Sequence, residues 1–260
     1  MADYSKLDHW SLKAQKEGYP ARSVYKLKEM DEKFGLLFPD NYKLSGNSDY
    51  KPLSGKELQI PYQTKQELRS IKRGRSHFSV LDLGAAPGSW SLYVLRKFFF
   101  KADISVTDKN INGTDKASGD KRQVSLVSVD LSPLSRDYDK GLFDSEAFTF
   151  IHGDFTHSEI KEAILSHGPY SLLLSDAAPA TTGNRSVDTL RSLELAEAAL
   201  DYATSALLHG GNLVIKVFQG GDTGSLLKAM RGLFKTAKGF KPEASRTGSF
   251  ETYYLGLGKK

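Results

Sequence analysis

The sequence predicts a doubly wound α/β domain: a mainly parallel sheet covered by helices on both faces, with a helical appendage at its N-terminus. Apolar runs of strand length recur at Phe78 to Leu83, Ala147 to Ile151, Ser171 to Leu174 and Asn212 to Phe218. Helical spacing follows the first run and separates the last two. The first run enters a turn of small residues, Gly84-Ala85-Ala86-Pro87-Gly88-Ser89-Trp90, and then Leu92, Val94 and Leu95 fall as a helix places them. Such a strand-to-helix turn lies where open α/β sheets bind ligands, and Gly84 and Gly88 let the backbone approach one closely.

Residues 9 to 34 read as helix in pieces, with Val24, Leu27, Met30 and Phe34 on one apolar face. Residues 39 to 76 are polar and punctuated by Pro39, Gly46, Pro52, Gly55, Pro61 and Gly74, an excursion with a short helix near Gln66. After the first strand a helix is expected from about Trp90 to Phe99. The second strand is ambiguous: Ile104 to Thr107 and Ser125 to Val129 both qualify, and Lys109 to Arg122 reads as loop. The clearest helix spans roughly Val187 to Leu208, with Leu190, Leu193, Ala196, Leu200, Ala203 and Leu207 as its stripe and Gly210-Gly211 as its stop. A further helix is expected from about Thr223 to Ala237. A tyrosine-rich strand from Phe250 to Gly256 closes the chain.

The 260 residues suffice for one sizeable core. No apolar run reaches membrane-spanning length, Phe98-Phe99-Phe100 being bracketed by Lys97 and Lys101. The segment Met1 to Lys6 lacks a secretory signal core and is no obvious transit peptide. The absence of cysteine excludes disulfides, thiolate metal sites and a cysteine nucleophile, and fits a cytoplasmic protein. Six histidines with no i, i+4 pair argue against zinc, and no metal is expected. The net charge of +5 is concentrated in two runs. One holds Lys65, Arg69, Lys72, Arg73 and Arg75; the other holds Lys228, Arg231, Lys235, Lys238, Lys241 and Arg246. These are either the footprint of a polyanionic partner or solvated faces.

The turn is spaced Gly-x-x-x-Gly, not Gly-x-Gly-x-x-Gly, so a dinucleotide pyrophosphate is not its natural occupant. A tight turn holding no ligand is the plainer alternative. Lys216 is the sharpest anomaly, a lysine flanked by Val214, Ile215, Val217 and Phe218. Burying it is costly unless it is paired, and the alternative is a strand-tip lysine reaching water. Asp176 ends the preceding strand in the same style, in Leu174-Ser175-Asp176-Ala177-Ala178-Pro179.

Taken in order, Tyr25-Lys26-Leu27, Asp82-Leu83-Gly84-Ala85-Ala86-Pro87-Gly88-Ser89-Trp90, Ser175-Asp176-Ala177-Ala178-Pro179, Lys216-Val217-Phe218-Gln219-Gly220 and Ser245-Arg246 with Glu251 resemble the FtsJ/RrmJ family of RNA ribose 2′-O-methyltransferases. The motifs span nearly the whole chain. The resemblance implies a seven-stranded Rossmann-like sheet, S-adenosylmethionine as cofactor, and a catalytic tetrad of Lys26, Asp176, Lys216 and Glu251. It implies cofactor contacts at Gly84, Ala85, Pro87, Gly88, Trp90, Asp154, Asp176 and the acidic residue ending the second strand. That residue is read as Asp130, because Leu131-Ser132-Pro133 follows it, with Asp108 as rival; roughly Lys101 to Arg122 is then an insertion. The chain departs from the family at Ala180, where relatives often carry asparagine, and at Ser89, where a third glycine is common. Its stretch from about Phe38 to His77 is longer than compact bacterial members suggest.

The implied reaction is attack of a ribose 2′-hydroxyl on the sulfonium methyl group, with Lys216 as base or orienting group and Lys26 also orienting the hydroxyl. Asp176 and Glu251 fix the two ammonium groups. RNA contacts are expected from Arg22, Tyr25, Arg69, Lys72, Arg73 and Arg246, with ribosomal or transfer RNA as substrate. Trp10, Tyr19 and Tyr25 either stack on bases or pack the appendage on the core. The rivals are a nucleotide-dependent dehydrogenase, which the turn spacing disfavours, a cap ribose methyltransferase and a non-catalytic RNA-binding factor. Residues 1 to 77 are read as extension and insertion, and 78 to 260 as the methyltransferase domain. The whole is expected to act as a monomer, with an auxiliary protein left open.

Overall fold

The structure, a computed structural model, describes residues 8–37, 77–104, 123–246 and 248–260. Seven strands, β1 (His77–Leu83), β2 (Gln123–Asp130), β3 (Phe148–His152), β4 (Tyr170–Ser175), β5 (Leu207–Phe218), β6 (Phe234–Phe240) and β7 (Glu251–Lys259), form one sheet. Their order is β3-β2-β1-β4-β5-β7-β6, with β7 antiparallel to both neighbours and the other pairs parallel. The chain winds outward from β1 to β3 and then returns to lay β4 on the other side of β1. This reversal leaves a crevice at the carboxyl ends of β1 and β4, where Leu83 pairs with Ser175.

Helices α2 (Val24–Phe34), α3 (Ser89–Ile104), α4 (Ser158–Ser166), α5 (Arg185–Ala206) and α6 (Thr223–Leu233) cover the sheet, and α1 (His9–Lys16) packs on α2. Strand periodicity decides what each face buries. Phe78, Val80, Leu172, Leu174, Val214, Tyr253 and Leu255 pack with Leu27 and Met30 of α2 and Leu92 and Leu95 of α3. Leu81, Leu83, Leu173, Leu213, Ile215 and Val217 point the other way, onto Ile164 of α4, Ala196 and Tyr202 of α5, and Met230 of α6. Lys216 follows the register of Val214, so its side chain leaves the sheet on the α2 side. No helix among the described residues is long and apolar enough to cross a membrane.

The second strand is the later of the two sequence alternatives, since Ile104 ends α3 and β2 runs from Gln123 to Asp130. Asp108, the excursion from 39 to 76 and most of the 101 to 122 insertion lie outside the described residues. Three expectations are corrected. The long helix stops at Ala206 rather than at Gly210-Gly211, because Leu207 already pairs with Tyr170 in the sheet. Gly210, at φ +80°, instead lies where the β4–β5 register shifts. The helix expected to reach Ala237 ends at Leu233, and Phe234–Phe240 becomes an edge strand on β7 with Phe234 fully buried. Helix α4, between Asp154 and Tyr170, has no counterpart among the helices expected from the sequence.

Candidate active site

A cavity of about 900 Å³ opens at the carboxyl ends of the central strands, walled by Gly84, Pro87, Asp130, Asp154, Asp176 and Lys216 among others. The turn after β1 is drawn tight because the Gly84 and Ala85 amides both donate to the Val129 carbonyl, at 2.9 and 3.2 Å. Gly84 adopts φ +73°, and a Cβ there would lie 2.6 Å from the Ala177 backbone. Only glycine lets the ends of β1 and β4 approach so closely.

Asp130, at the tip of β2, is held by backbone donors: the Ala86 amide at 2.9 Å on one oxygen and the Ser132 amide at 2.7 Å on the other. Asp154, in the turn after β3, accepts from the Thr156 amide at 2.9 Å and its hydroxyl at 2.7 Å. Partial burial pushes the Asp154 carboxyl up, but these bonds and nearby His157 bring it below the usual carboxylate range. Two carboxylates therefore stand fixed along one wall.

Across the opening the four tetrad residues converge. Lys216 Nζ lies 3.1 Å from Asp176 Oδ1 and also donates to the Asp176 carbonyl. Lys26 Nζ lies 2.6 Å from Glu251 Oε1. The antiparallel register sets Lys216 beside Tyr253 and Phe218 beside Glu251. Tyr253 joins the two pairs: its hydroxyl donates to Asp176 Oδ1 at 2.6 Å, and the Lys26 ammonium sits 5.7 Å from its ring centre. Burial pushes the Asp176 carboxyl up, but Lys216, Lys26 and the bonds from Tyr253 and Lys216 outweigh it and hold it below the usual range. The Tyr253 hydroxyl is driven far above its ordinary value by burial, then by the charges of Asp176 and Glu251. Sequence reasoning missed Tyr253. Its signal was the strand period, because residues 251 and 253 share one face of a strand.

Lys26 comes from the appendage, so its placement depends on how α2 docks. Ser89 Oγ accepts from the Ala21 amide at 2.8 Å and donates to the Ala21 carbonyl at 3.1 Å. The Trp90 indole donates to the Ser23 carbonyl at 2.8 Å. Ser89, noted in the sequence as a departure, thus bolts the appendage to the turn. Trp90, expected from the sequence as a cofactor contact, is 2% exposed and packs 5.9 Å from the Tyr253 ring, which places it between the appendage and the tetrad. Ala85 and Gly88 are buried in the turn, where the Gly88 amide donates to the Ala85 carbonyl at 2.7 Å. Ser89→Ala leaves the Ala21 amide without its partner, so a stability loss of about 1–2 kcal/mol is expected in denaturant titration. The same variant is expected to lower turnover more than cofactor affinity, because Lys26 drifts while the carboxylate wall stays.

The residues expected to meet RNA are not brought together. Arg22 is committed to Asp8 and to the Ala244 carbonyl, and Tyr25 is 4% exposed against Trp10. Both belong to the framework that docks the appendage: the Arg22 guanidinium is engaged by Asp8 and the Ala244 carbonyl, and the Tyr25 ring is buried against Trp10. Arg246 is exposed in the loop before β7. Arg69, Lys72 and Arg73 lie outside the described residues. The second basic run is split: Lys238 lies 4.2 Å from the Phe34 ring centre, Lys241 donates to the Ser249 carbonyl, and Lys235 lies near Gly258 at the opposite end of the strand pair.

Behind the turn, Asp82 is fully buried on β1. One oxygen accepts from Ser91 Oγ at 2.7 Å, Ser91 in turn meets Ser128 at 2.9 Å, and the other oxygen has no partner among the described residues. Burial pushes this carboxyl up to about 7, against the Ser91 bond and with the help of the Asp176 and Asp130 charges. The folded chain therefore holds this proton to higher pH than the unfolded chain, whose carboxyl titrates near 3.8. Its stability contribution is complete below that lower value and is lost as pH rises toward 7. Asp82→Asn is expected to flatten the fall in melting temperature between these limits; an unchanged slope would show that Asp82 is ionised throughout.

Residues 19–259 match the model of the FtsJ-like methyltransferase family. A Treponema denticola protein named ribosomal RNA large subunit methyltransferase E is 41% identical over 254 residues, covering 98% of this chain and 96% of its own. The protein of the same name from Borrelia garinii subsp. bavariensis is 38% identical, covering 96% of this chain and 95% of its own. Among solved structures, a Plasmodium falciparum protein described as a ribosomal RNA methyltransferase superposes with a TM-score of 0.59 at 19% identity. It covers 93% of this chain and 98% of that one, a likeness of fold.

Proposed function

The chain belongs to the FtsJ-like methyltransferase family, whose members use S-adenosylmethionine, and from that premise we propose that it methylates a ribose 2′-hydroxyl of large-subunit ribosomal RNA. The observation that carries this reading is the convergence of Lys26, Asp176, Lys216 and Glu251 beside the cavity. The name shared by its relatives favours ribosomal over transfer RNA. It also favours the cytoplasm, where bacterial ribosomes work.

The donor set on the cavity wall fits S-adenosylmethionine. Asp130 suits the ribose hydroxyls, Asp154 an adenine amino group and Asp176 an ammonium, with Gly84 and Pro87 offering a surface without bulk. When bound, the cofactor supplies a methyl group on a sulfonium, an excellent leaving group. What remains for this chain is alignment and removal of one proton. Lys216 Nζ, pointed into the opening by Asp176, meets the acceptor hydroxyl and receives its proton when the amine is neutral. Lys26, held by Glu251, donates to the same oxygen and fixes its approach. All four groups come from one chain, so no second copy is needed to complete the site.

The test is transfer of label from S-adenosylmethionine to large-subunit RNA lacking the modification. The expected product contains a phosphodiester that resists alkaline hydrolysis at one nucleotide. Label on a base, or no transfer to any RNA, would overturn the proposal. A non-catalytic role is disfavoured because both ion pairs of the tetrad are assembled.

A further inference from the structure

A second recess, of about 370 Å³, lies between the start of α5 and the turn after β5, on the opposite side of α5 from the cofactor wall. Arg185, Thr189, Leu190 and Leu193 form one wall, and Gly220 and Gly221 form the other. Leu190 is 59% exposed and Val187, on the same turn of helix, is 37% exposed, so the start of α5 leaves apolar surface open to solvent. The Thr189 hydroxyl is buried under Gly220 with no hydrogen-bond partner among the described residues.

Two aromatic rings lie between the recess and the tetrad. The Arg185 guanidinium lies 5.3 Å from the Phe250 ring centre, and Phe250 meets Phe218 edge-on at 4.6 Å. Phe218 stands two residues beyond Lys216, and Phe250 immediately precedes Glu251. Arg185 is exposed, so the recess presents a cation set against an aromatic ring, with Leu190 as an apolar neighbour. Single-stranded RNA is bound through such planes: arginine and aromatic faces stack on splayed bases, and the cation also favours the phosphate beside them. Asp222, the acidic group at the rim, is occupied as the cap of α6 through Ser225.

We propose that this recess receives the base of the nucleotide adjoining the acceptor, with Arg185 as stacking plane and Leu190 as apolar wall. The inference rests on the proposed methylation of RNA. It assigns Arg185 a substrate-positioning role outside the tetrad and the cofactor cavity.

The test compares wild-type protein with Arg185→Ala, Arg185→Lys and Leu190→Ser. Binding of a fluorescent mixed-sequence single-stranded oligoribonucleotide is read beside methylation kinetics on large-subunit RNA. Arg185→Ala is expected to weaken oligonucleotide binding and raise KM for RNA by about tenfold, with kcat, cofactor affinity and melting temperature unchanged. Arg185→Lys keeps the charge but loses the plane, and is expected to recover only a minor part of the loss. Leu190→Ser is expected to act in the same direction and less strongly. Full recovery with lysine, or binding by Arg185→Ala within twofold of wild type, would overturn the stacking role. If oligonucleotide binding falls as expected yet wild type makes no alkali-resistant product, the methylation reading fails and the recess stands as an RNA contact. If wild type methylates RNA and Arg185→Ala is neutral, only the recess fails.

Discussion

Lys216→Ala is expected to lower methyl transfer about a thousandfold while leaving S-adenosylmethionine affinity within a few-fold of wild type. The split follows from what the side chain touches. Its ammonium is committed to Asp176 at the opening proposed for the acceptor hydroxyl, while Asp130 and Asp154 sit on the wall proposed for the cofactor. After the substitution Asp176 keeps its bond from Tyr253 and the nearby charge of Lys26, so the fold has a compensating partner for the carboxylate. Single-turnover transfer measured beside calorimetric cofactor titration reads both quantities. Activity within tenfold of wild type would remove Lys216 from the chemistry. Equal loss of binding and rate would make it a cofactor ligand instead.

Gly84→Ala is the second large effect, and it acts on structure first. The added methyl would lie 2.6 Å from the Ala177 backbone, so the carboxyl ends of β1 and β4 must separate. The positive φ adds strain of about 1–2 kcal/mol for any L-residue. Gly183 supplies the control, with φ +82° and nothing within 4 Å of the position its Cβ would take. Gly183→Ala is expected to show the dihedral strain alone, a small loss of stability with cofactor binding intact. Gly84→Ala is expected to cost about 3 kcal/mol or more and to weaken cofactor binding by about a hundredfold, because Asp176 moves with Ala177. Equal behaviour of the two variants in thermal unfolding would mean that the strand ends yield without resistance.

The importance of Lys216 and Gly84 is legible in the sequence alone, and the reason is local. A glycine in a small-residue turn after an apolar strand, and a lysine inside another apolar strand, are anomalies within a few residues of chain. The same holds for Asp176 at a strand end and for most strand boundaries, since strands buried on both faces read as continuous apolar runs. Lys26 and Glu251 are legible through their motifs but not through physics alone, because a lysine on an amphipathic helix and a glutamate entering a strand are ordinary. Their meaning is the 2.6 Å pair they make between the two ends of the chain.

Where local pattern misleads, long-range pairing has replaced it. The end of the helix expected to reach Ala237 instead opens the strand Phe234–Phe240, because β7 offers an antiparallel edge. Trp90 and Arg22, expected from the sequence as cofactor and RNA contacts, bond the Ser23 and Ala244 carbonyls and Asp8. Tyr253 and Ser89 carry no marked composition, yet one bridges the tetrad and the other holds the appendage that delivers Lys26. By itself the sequence determined the α/β class and marked the small-residue turn, Asp176 and Lys216 as anomalies, because apolar runs and costly burial are written in neighbouring residues. The tertiary structure alone decided which groups meet, since hydrogen-bond and ion-pair partners are chosen by docking between segments far apart in the chain.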